Sequence, residues 1–289
     1  MKILSYGSMN IDHVYLLDHI NEVAETQSAT SLGQFSGGKG LNQSVAIAKS
    51  GGTIYHAGIV GDDGDILIDT LRQNGVNVKF VKQVEGASAH TIIQIDKHGQ
   101  NSIIVYSGAN MRLEESDIDS ILAKFNSGDY LVLQNELYNS PLIMRKAAAK
   151  GLIIVFNPSP MNSEISHYPL SNVSWFIMNE VEAAALTGET QPIQIINFMK
   201  NKYPKSSTLL TLGAEGAYCH HLGKTYYQPA FPVKVVDTTA AGDTFSGYFI
   251  SQLSIGKSIE DAMKLSARAA AITVSRKGAS DSIPTIESL

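Results

Sequence analysis

Cysteine is nearly absent from this 289-residue chain: Cys219 stands alone, which excludes an internal disulfide and any metal site built from several thiolates, and fits a reducing compartment. Positive charge is also scarce. Lys and Arg number 22 against 27 Asp and Glu, a formal charge of −5, so there is no broad basic face for nucleic acid or anionic lipid, and any phosphate must be bound locally. No apolar run approaches the roughly 18 residues of a membrane span, and the stretch Lys2 to Tyr6 behind Met1 is too short for the apolar segment of a signal peptide. A cytoplasmic location is expected. The histidines are scattered. Only His220 and His221 adjoin, and on a strand their side chains point to opposite faces, so no zinc site is expected. A dinucleotide-dependent oxidoreductase would need G-x-G-x-x-G after the first strand, and Gly7-Ser8-Met9-Asn10 does not supply it.

What is present is a strand and helix alternation along the whole chain. Lys2 to Tyr6, Tyr130 to Gln134, Leu152 to Phe156, Val173 to Met178 and Thr208 to Leu212 are short, largely apolar runs of the kind that fully buried strands produce. Helices fall between several of them. One runs from Leu41 to Lys49 and halts at Gly51-Gly52; another has Ser140 as N-cap, Pro141 in its first turn and Gly151 at its end. A third is capped by Ser258, with Asp261 three residues on, and reaches Arg276 before Gly278. The alternation predicts a mostly parallel sheet with helices on both faces. Two stretches, residues 13–34 and 89–105, break the pattern as β-rich segments of mixed polarity, the second turning at Lys97-His98-Gly99-Gln100-Asn101. They predict either one small sheet added to the main domain or a pair of surface hairpins.

Two glycine loops carry the chemistry. Gly33-Gln34-Phe35-Ser36-Gly37-Gly38-Lys39-Gly40 nearly fits the phosphate-binding pattern G-x-x-x-x-G-K-[ST], but Gly40 stands where the magnesium-binding hydroxyl belongs. A Walker-type loop is therefore not expected. The glycines precede a helix whose free N–H groups could meet an oxygen-rich ligand, and Asn42 and Gln43 add fixed amides; taken alone, the segment is also a tight turn into a helix. Farther on, Val236-Asp237-Thr238-Thr239-Ala240-Ala241-Gly242-Asp243 passes from a strand into a helix starting near Ala241, whose N–H groups and dipole would favour a phosphoryl group. Asp243 falls in the first turn, where a carboxylate can also be a simple dipole partner.

These two motifs, in this order, resemble the signatures of the ribokinase family of carbohydrate and nucleoside kinases, also called the PfkB family. Gly7-Ser8-Met9-Asn10-Ile11-Asp12, Gly61-Asp62-Asp63-Gly64, Gly108-Ala109-Asn110, Asn157-Pro158, Asn179-Glu180-Val181-Glu182 and Thr211-Leu212-Gly213 extend the likeness over nearly the whole chain. The resemblance implies a single three-layer α/β/α domain over residues 1–289 with a small β-sheet lid. It implies that Asp243 is the general base and that Ala240, Ala241, Gly242 and Asp243 form the anion hole. A sugar alcohol is too weak an acid to lose its proton beforehand, so such a base takes it as in-line attack on ATP proceeds. Asn10, Asp12, Gly38, Lys39, Asn42 and Glu136 would line the sugar site. Asn179 and Glu182 would act on Mg²⁺ through water, and Thr211, Gly213 and Gly216 would form the nucleotide loop, with adenine between it and a late helix. Asp237, Thr239, Thr273, Arg276, Gly278 and Ser282 match a K⁺ site made largely of carbonyls, and the lid would pair two subunits into a homodimer.

The implied reaction is phosphorylation of a primary hydroxyl, ribose to ribose 5-phosphate. Singly, each of these residues also has an ordinary reading: Asn10 and Asp12 as turn residues, Lys39 as a surface charge, Asn179-x-x-Glu182 as a helix cap. The chain departs from the family at Val23-Ala24-Glu25-Thr26, where a Pro-Gly-Glu-like turn is usual, and at Thr91 and Ala267. Fructose, a sugar phosphate, or a nucleoside such as adenosine or pseudouridine is the alternative acceptor. A non-catalytic sugar or nucleotide sensor is the alternative from another class, and loss of the base would be its mark.

Overall fold

The computed structural model describes residues 1–289. In chain order the chain forms β1 (Ile3–Tyr6), β2 (Asn10–Leu16), β3 (Ser31–Gly37), α1 (Lys39–Lys49), β4 (Ile54–Val60), α2 (Asp65–Gln73), β5 (Asn77–Gln83), β6 (Ala89–Ile95) and β7 (Asn101–Tyr106). Then follow α3 (Glu115–Leu122), β8 (Tyr130–Gln134), α4 (Ser140–Ala149), β9 (Ile153–Asn157), β10 (Trp175–Asn179), α5 (Glu180–Thr187), α6 (Pro192–Lys202) and β11 (Ser207–Thr211). The chain closes with β12 (Ala217–His221), β13 (Lys224–Gln228), α7 (Ala241–Ser254) and α8 (Ile259–Val274). No helix is long and apolar enough to cross a membrane.

Nine strands make the main sheet in the order β13-β12-β11-β10-β9-β8-β1-β4-β5, parallel except where β12 and β13 run antiparallel. Each face of that sheet buries a core cluster of the same size, 30 residues, so the strands are apolar on both sides. Ile3 joins the cluster under α1, α2, α7 and α8; its neighbour Leu4 joins the one under α3, α4, α5 and α6. This is the expected three-layer α/β/α arrangement. From β1 the chain builds outward to β4 and β5, then restarts at β8 and builds the other way. The reversal opens a crevice at the C-terminal ends of β1 and β8, where open α/β sheets bind their ligands.

A separate four-stranded sheet, ordered β3-β2-β6-β7, rises beside that crevice. β2 and β6 pair in parallel and the outer pairs are antiparallel, so the two β-rich stretches do form one sheet. Its strands start at Asn10, three residues before the expected boundary, and run on to Gly37 and Tyr106.

Three local expectations are corrected. Ser140 turns its hydroxyl back onto the Leu137 carbonyl (2.9 Å), and Asn139 is the N-cap of α4 instead. α8 stops at Val274 rather than Arg276, because the Val274 carbonyl accepts from the N–H groups of Val236 and Asp237 at 2.8 and 3.2 Å. That same crossing explains why no strand leads into α7: the segment before it is spent on bracing the end of α8.

Candidate active site

Two close approaches of backbone set up the site. Gly7, just past β1, lies against Gly40 in the first turn of α1, and a Cβ on either would collide with the backbone of the other. This is the physical reason why Gly40 replaces a hydroxyl residue. Gly247 of α7 lies against Ala46 of α1, where a Cβ would also come within 2.9 Å of the Gln43 carbonyl. The first turn of α1 is thereby held beside the first turn of α7.

Ala240 caps α7 in a left-handed conformation (φ 59°). The N–H groups of Gly242 and Asp243 in the next turn have no backbone acceptor, which leaves two donors and the positive end of a 14-residue helix facing a cleft. The cleft, about 220 Å³, is lined by Lys39, Asn179, Glu182, Thr211, Gly242 and Asp243 among others. Asp243 Oδ1 accepts from Gln43 Nε2 at 3.0 Å and Oδ2 from Asn42 Nδ2 at 3.2 Å. Burial pushes its carboxyl above the usual aspartate value, against the pull of Lys39 and the two amides. Burial alone would also move Lys39 toward neutrality, but the charges of Asp243, Glu136 and Glu182 together hold it above the ordinary lysine value.

A second cleft, about 620 Å³, is lined by Asn10, Val105, Asn110 and Glu136 among others. Glu136, two residues past β8, accepts from the Ser8 hydroxyl and from the Lys39 main-chain N–H (3.2 Å), and burial raises its carboxyl above the ordinary glutamate value. Asn110 Nδ2 donates to Asn10 Oδ1 at 3.0 Å. Asp12 accepts from Thr91 Oγ1 at 2.6 Å across the β2–β6 pair, and burial raises its carboxyl too. Thr91, a departure from the family pattern, is thus the residue that orients Asp12. Gly38, with φ 96°, lets the chain turn from β3 into α1 beneath these groups.

Asn179 and Glu182 form a reciprocal capping box on α5: Glu182 N–H donates to Asn179 Oδ1 (2.8 Å) and Asn179 N–H donates to Glu182 Oε2 (3.0 Å). The cap does not take Glu182 out of the cleft: it also lines the smaller one and is fixed by Asn157 Nδ2 at 3.0 Å. Thr211 ends β11, Gly213 turns with φ 52°, and Gly216, with φ 109°, passes too close to Gln228 for any side chain.

Asp237 ties two loops together. Its Oδ1 accepts from Thr239 N–H (2.9 Å) and Oγ1 (2.6 Å), and its Oδ2 from Gly278 N–H (3.0 Å). Thr273 turns its hydroxyl to Thr244 at 3.1 Å, its carbonyl accepts from the Arg276 N–H at 3.1 Å, and Arg276 Nη1 lies 3.4 Å from the Ser282 carbonyl. No group of three His, Cys, Asp or Glu side chains exists that could hold a metal ion, so a divalent ion here would depend on ligands brought by phosphates.

Sequence reasoning left Gln134, Asn110, Asn157 and Ser8 outside the site. Asn110 and Asn157 belonged to short motifs already noted; Gln134 read only as the end of a buried strand.

A family model described as "pfkB family carbohydrate kinase" matches residues 1–286. The ribokinase of Haemophilus influenzae is 34% identical over 96% of this chain and 94% of its own length. The structure of Cryptococcus neoformans ribokinase with ADP superposes with a TM-score of 0.88 at 34% identity, covering 99% of this chain and 98% of that one. Arabidopsis thaliana ribokinase with ribose and ATP gives 0.90 at 29% identity, covering 99% and 96%. With the fold, the two glycine loops and the likeness in agreement over the full length, the chain belongs to the pfkB family of carbohydrate kinases.

Proposed function

We propose that this carbohydrate kinase transfers the terminal phosphoryl group of ATP to the primary hydroxyl of ribose, giving ribose 5-phosphate and ADP, with Asp243 as general base. The observation that carries the reading is the placement of Asp243: a carboxylate with a raised pKa, beside Lys39, in a helix turn whose N–H groups are free. The smaller cleft takes the phosphates and the larger one the sugar. Asn10, Asp12, Gly38, Lys39, Asn42 and Glu136 hold the hydroxyls, donors and acceptors being mixed as a polyol requires. Asp243 accepts the hydroxyl proton as the oxygen attacks, while the Ala240–Asp243 turn and Lys39 stabilise the charge on the moving phosphoryl group. Thr211, Gly213 and Gly216 shape the nucleotide side.

When bound, Mg²⁺ would neutralise phosphate charge, with Glu182 and Asn179 reaching it through water. A K⁺ ion would be held by Asp237 and Thr239 with the carbonyls of Thr273, Arg276, Gly278 and Ser282. The lid excludes water as a competing acceptor, and its exposed Ile103, Ile104 and Tyr106 are apolar surface suited to pairing with a second copy. A cytoplasmic location accords with ATP as the donor.

The test is ADP release with Mg-ATP and K⁺ over ribose, deoxyribose, fructose, fructose phosphates and nucleosides, with Asp243→Asn alongside. Ribose should turn over fastest, the variant should lose roughly a hundredfold or more, and the acid limb of kcat/KM should lie above the ordinary aspartate value of 3.8. Faster turnover of another acceptor would keep the mechanism and replace the substrate; sugar binding without turnover would mean a sensor.

A further inference from the structure

We propose that Gln134 and Gln43 form an amide relay that aims the Asp243 carboxylate, which makes both of them positioning residues for phosphoryl transfer. The inference rests on the reading of Asp243 as the base. Gln134 ends β8, Gln43 opens the second turn of α1, and each is 1% exposed. Gln134 Nε2 donates to Gln43 Oε1 at 2.8 Å, and Gln43 Nε2 donates to Asp243 Oδ1 at 3.0 Å. The relay therefore runs from the centre of the sheet to the base.

Its direction is forced by chemistry. An ionised carboxylate only accepts, so Gln43 must present its NH₂ end, and its oxygen then needs a donor on the far side. Gln134 supplies that donor. If it offered an acceptor instead, the Gln43 amide would turn over and set its oxygen against Asp243. Gln134 Oε1 is itself buried without a partner. A residue kept only for packing would be apolar or fully hydrogen-bonded at that depth, so the NH₂ end is the half of the side chain that is used.

The consequence falls on aim. With Gln43 on one oxygen and Asn42 on the other (3.2 Å), the carboxylate plane is fixed at both ends. Without Gln43 the carboxylate would be free to swing toward Lys39 and pair with it, and a misplaced base costs rate rather than substrate binding.

The test is a double-mutant cycle of Gln134→Met and Gln43→Met, with Gln134→Glu as the reversing variant, read by kcat, both KM values and the pH profile of kcat/KM. Each Met variant should lower kcat about tenfold with KM for sugar and ATP little changed. Gln134→Met should add no further loss in the Gln43→Met background. Gln134→Glu should cost more, about a hundredfold, and the acid limb should move to higher pH in Gln43→Met, which takes a donor from the carboxylate, and in Gln134→Glu, which turns the Gln43 oxygen toward it. Multiplying losses, effects confined to KM, or an acid limb unmoved in Gln43→Met and Gln134→Glu would overturn the relay. Gln43→Met sits in a helix that tolerates Met, so its pH profile decides the matter even if a Gln134 variant fails to fold. Full turnover by Asp243→Asn would instead sink the base assignment, whatever the glutamines do.

Discussion

His56 lies on β4 with no solvent access, its Nδ1 2.8 Å from the Ser44 hydroxyl, and its Nε2 without a partner. Burial pushes its pKa from 6.5 down to about 4. Between those values the unfolded chain takes up a proton that the folded chain refuses. The stability it contributes is thus present above pH 6.5 and lost as the pH falls toward about 4. Melting temperatures followed across that window should fall for the wild type, and fall less for His56→Gln, whose amide can keep the Ser44 bond without titrating. At this scale the sequence was informative about residues that stand in motifs. Asp243, Lys39 and Asn42 were legible because the Gly-rich loops mark them. Gln134 was not, because its partner Gln43 lies 91 residues away and nothing in a strand's periodicity announces a polar relay at its end.

At the scale of elements, the small sheet turns at Glu22–Glu25, where Glu25 N–H meets the Glu22 carbonyl at 3.3 Å and Ala24 takes φ 65°. That third position of a turn suits glycine. The departure from the family's Pro-Gly-Glu-like turn thus keeps a left-handed backbone but gives it to a residue with a Cβ. Ala24→Gly should stabilise the protein by roughly 0.5–1 kcal/mol, the relief of the strain exceeding the extra freedom of the unfolded chain. A higher denaturant midpoint at unchanged slope would show it; a lower midpoint would refute it. Element ends were the least legible feature. Ser140 is not the cap because its hydroxyl is taken by the Leu137 carbonyl three residues back, and α8 stops short of Arg276 because distant N–H groups, those of Val236 and Asp237, take the Val274 carbonyl. The run up to Val236 reads as a strand locally and becomes a brace through a contact 38 residues on.

For the whole molecule, strand and helix alternation made the three layers legible, and polarity made the separate sheet legible as one of two options. The pairing of β2 with β6, which settled that option, joins segments far apart in the chain and leaves no trace in either. The outer strand β7 is exposed along its length, with Ile103 at 52% and Ile104 at 60%. If the lid pairs two subunits as proposed, Ile104→Asp should halve the mass measured by light scattering while leaving melting nearly unchanged. A monomeric wild type would end the dimer proposal.

Cys219 is fully buried within the main sheet, and its thiol is pushed up to about 12, so it offers reagents neither access nor a thiolate. To a maleimide dye the native protein is therefore blank. A single Ser102→Cys on the exposed strand of the lid would be the one site to take a fluorophore, with no native residue sacrificed elsewhere. The closure proposed for the small sheet over a sugar could then be followed in real time by the colour and polarisation of one reporter.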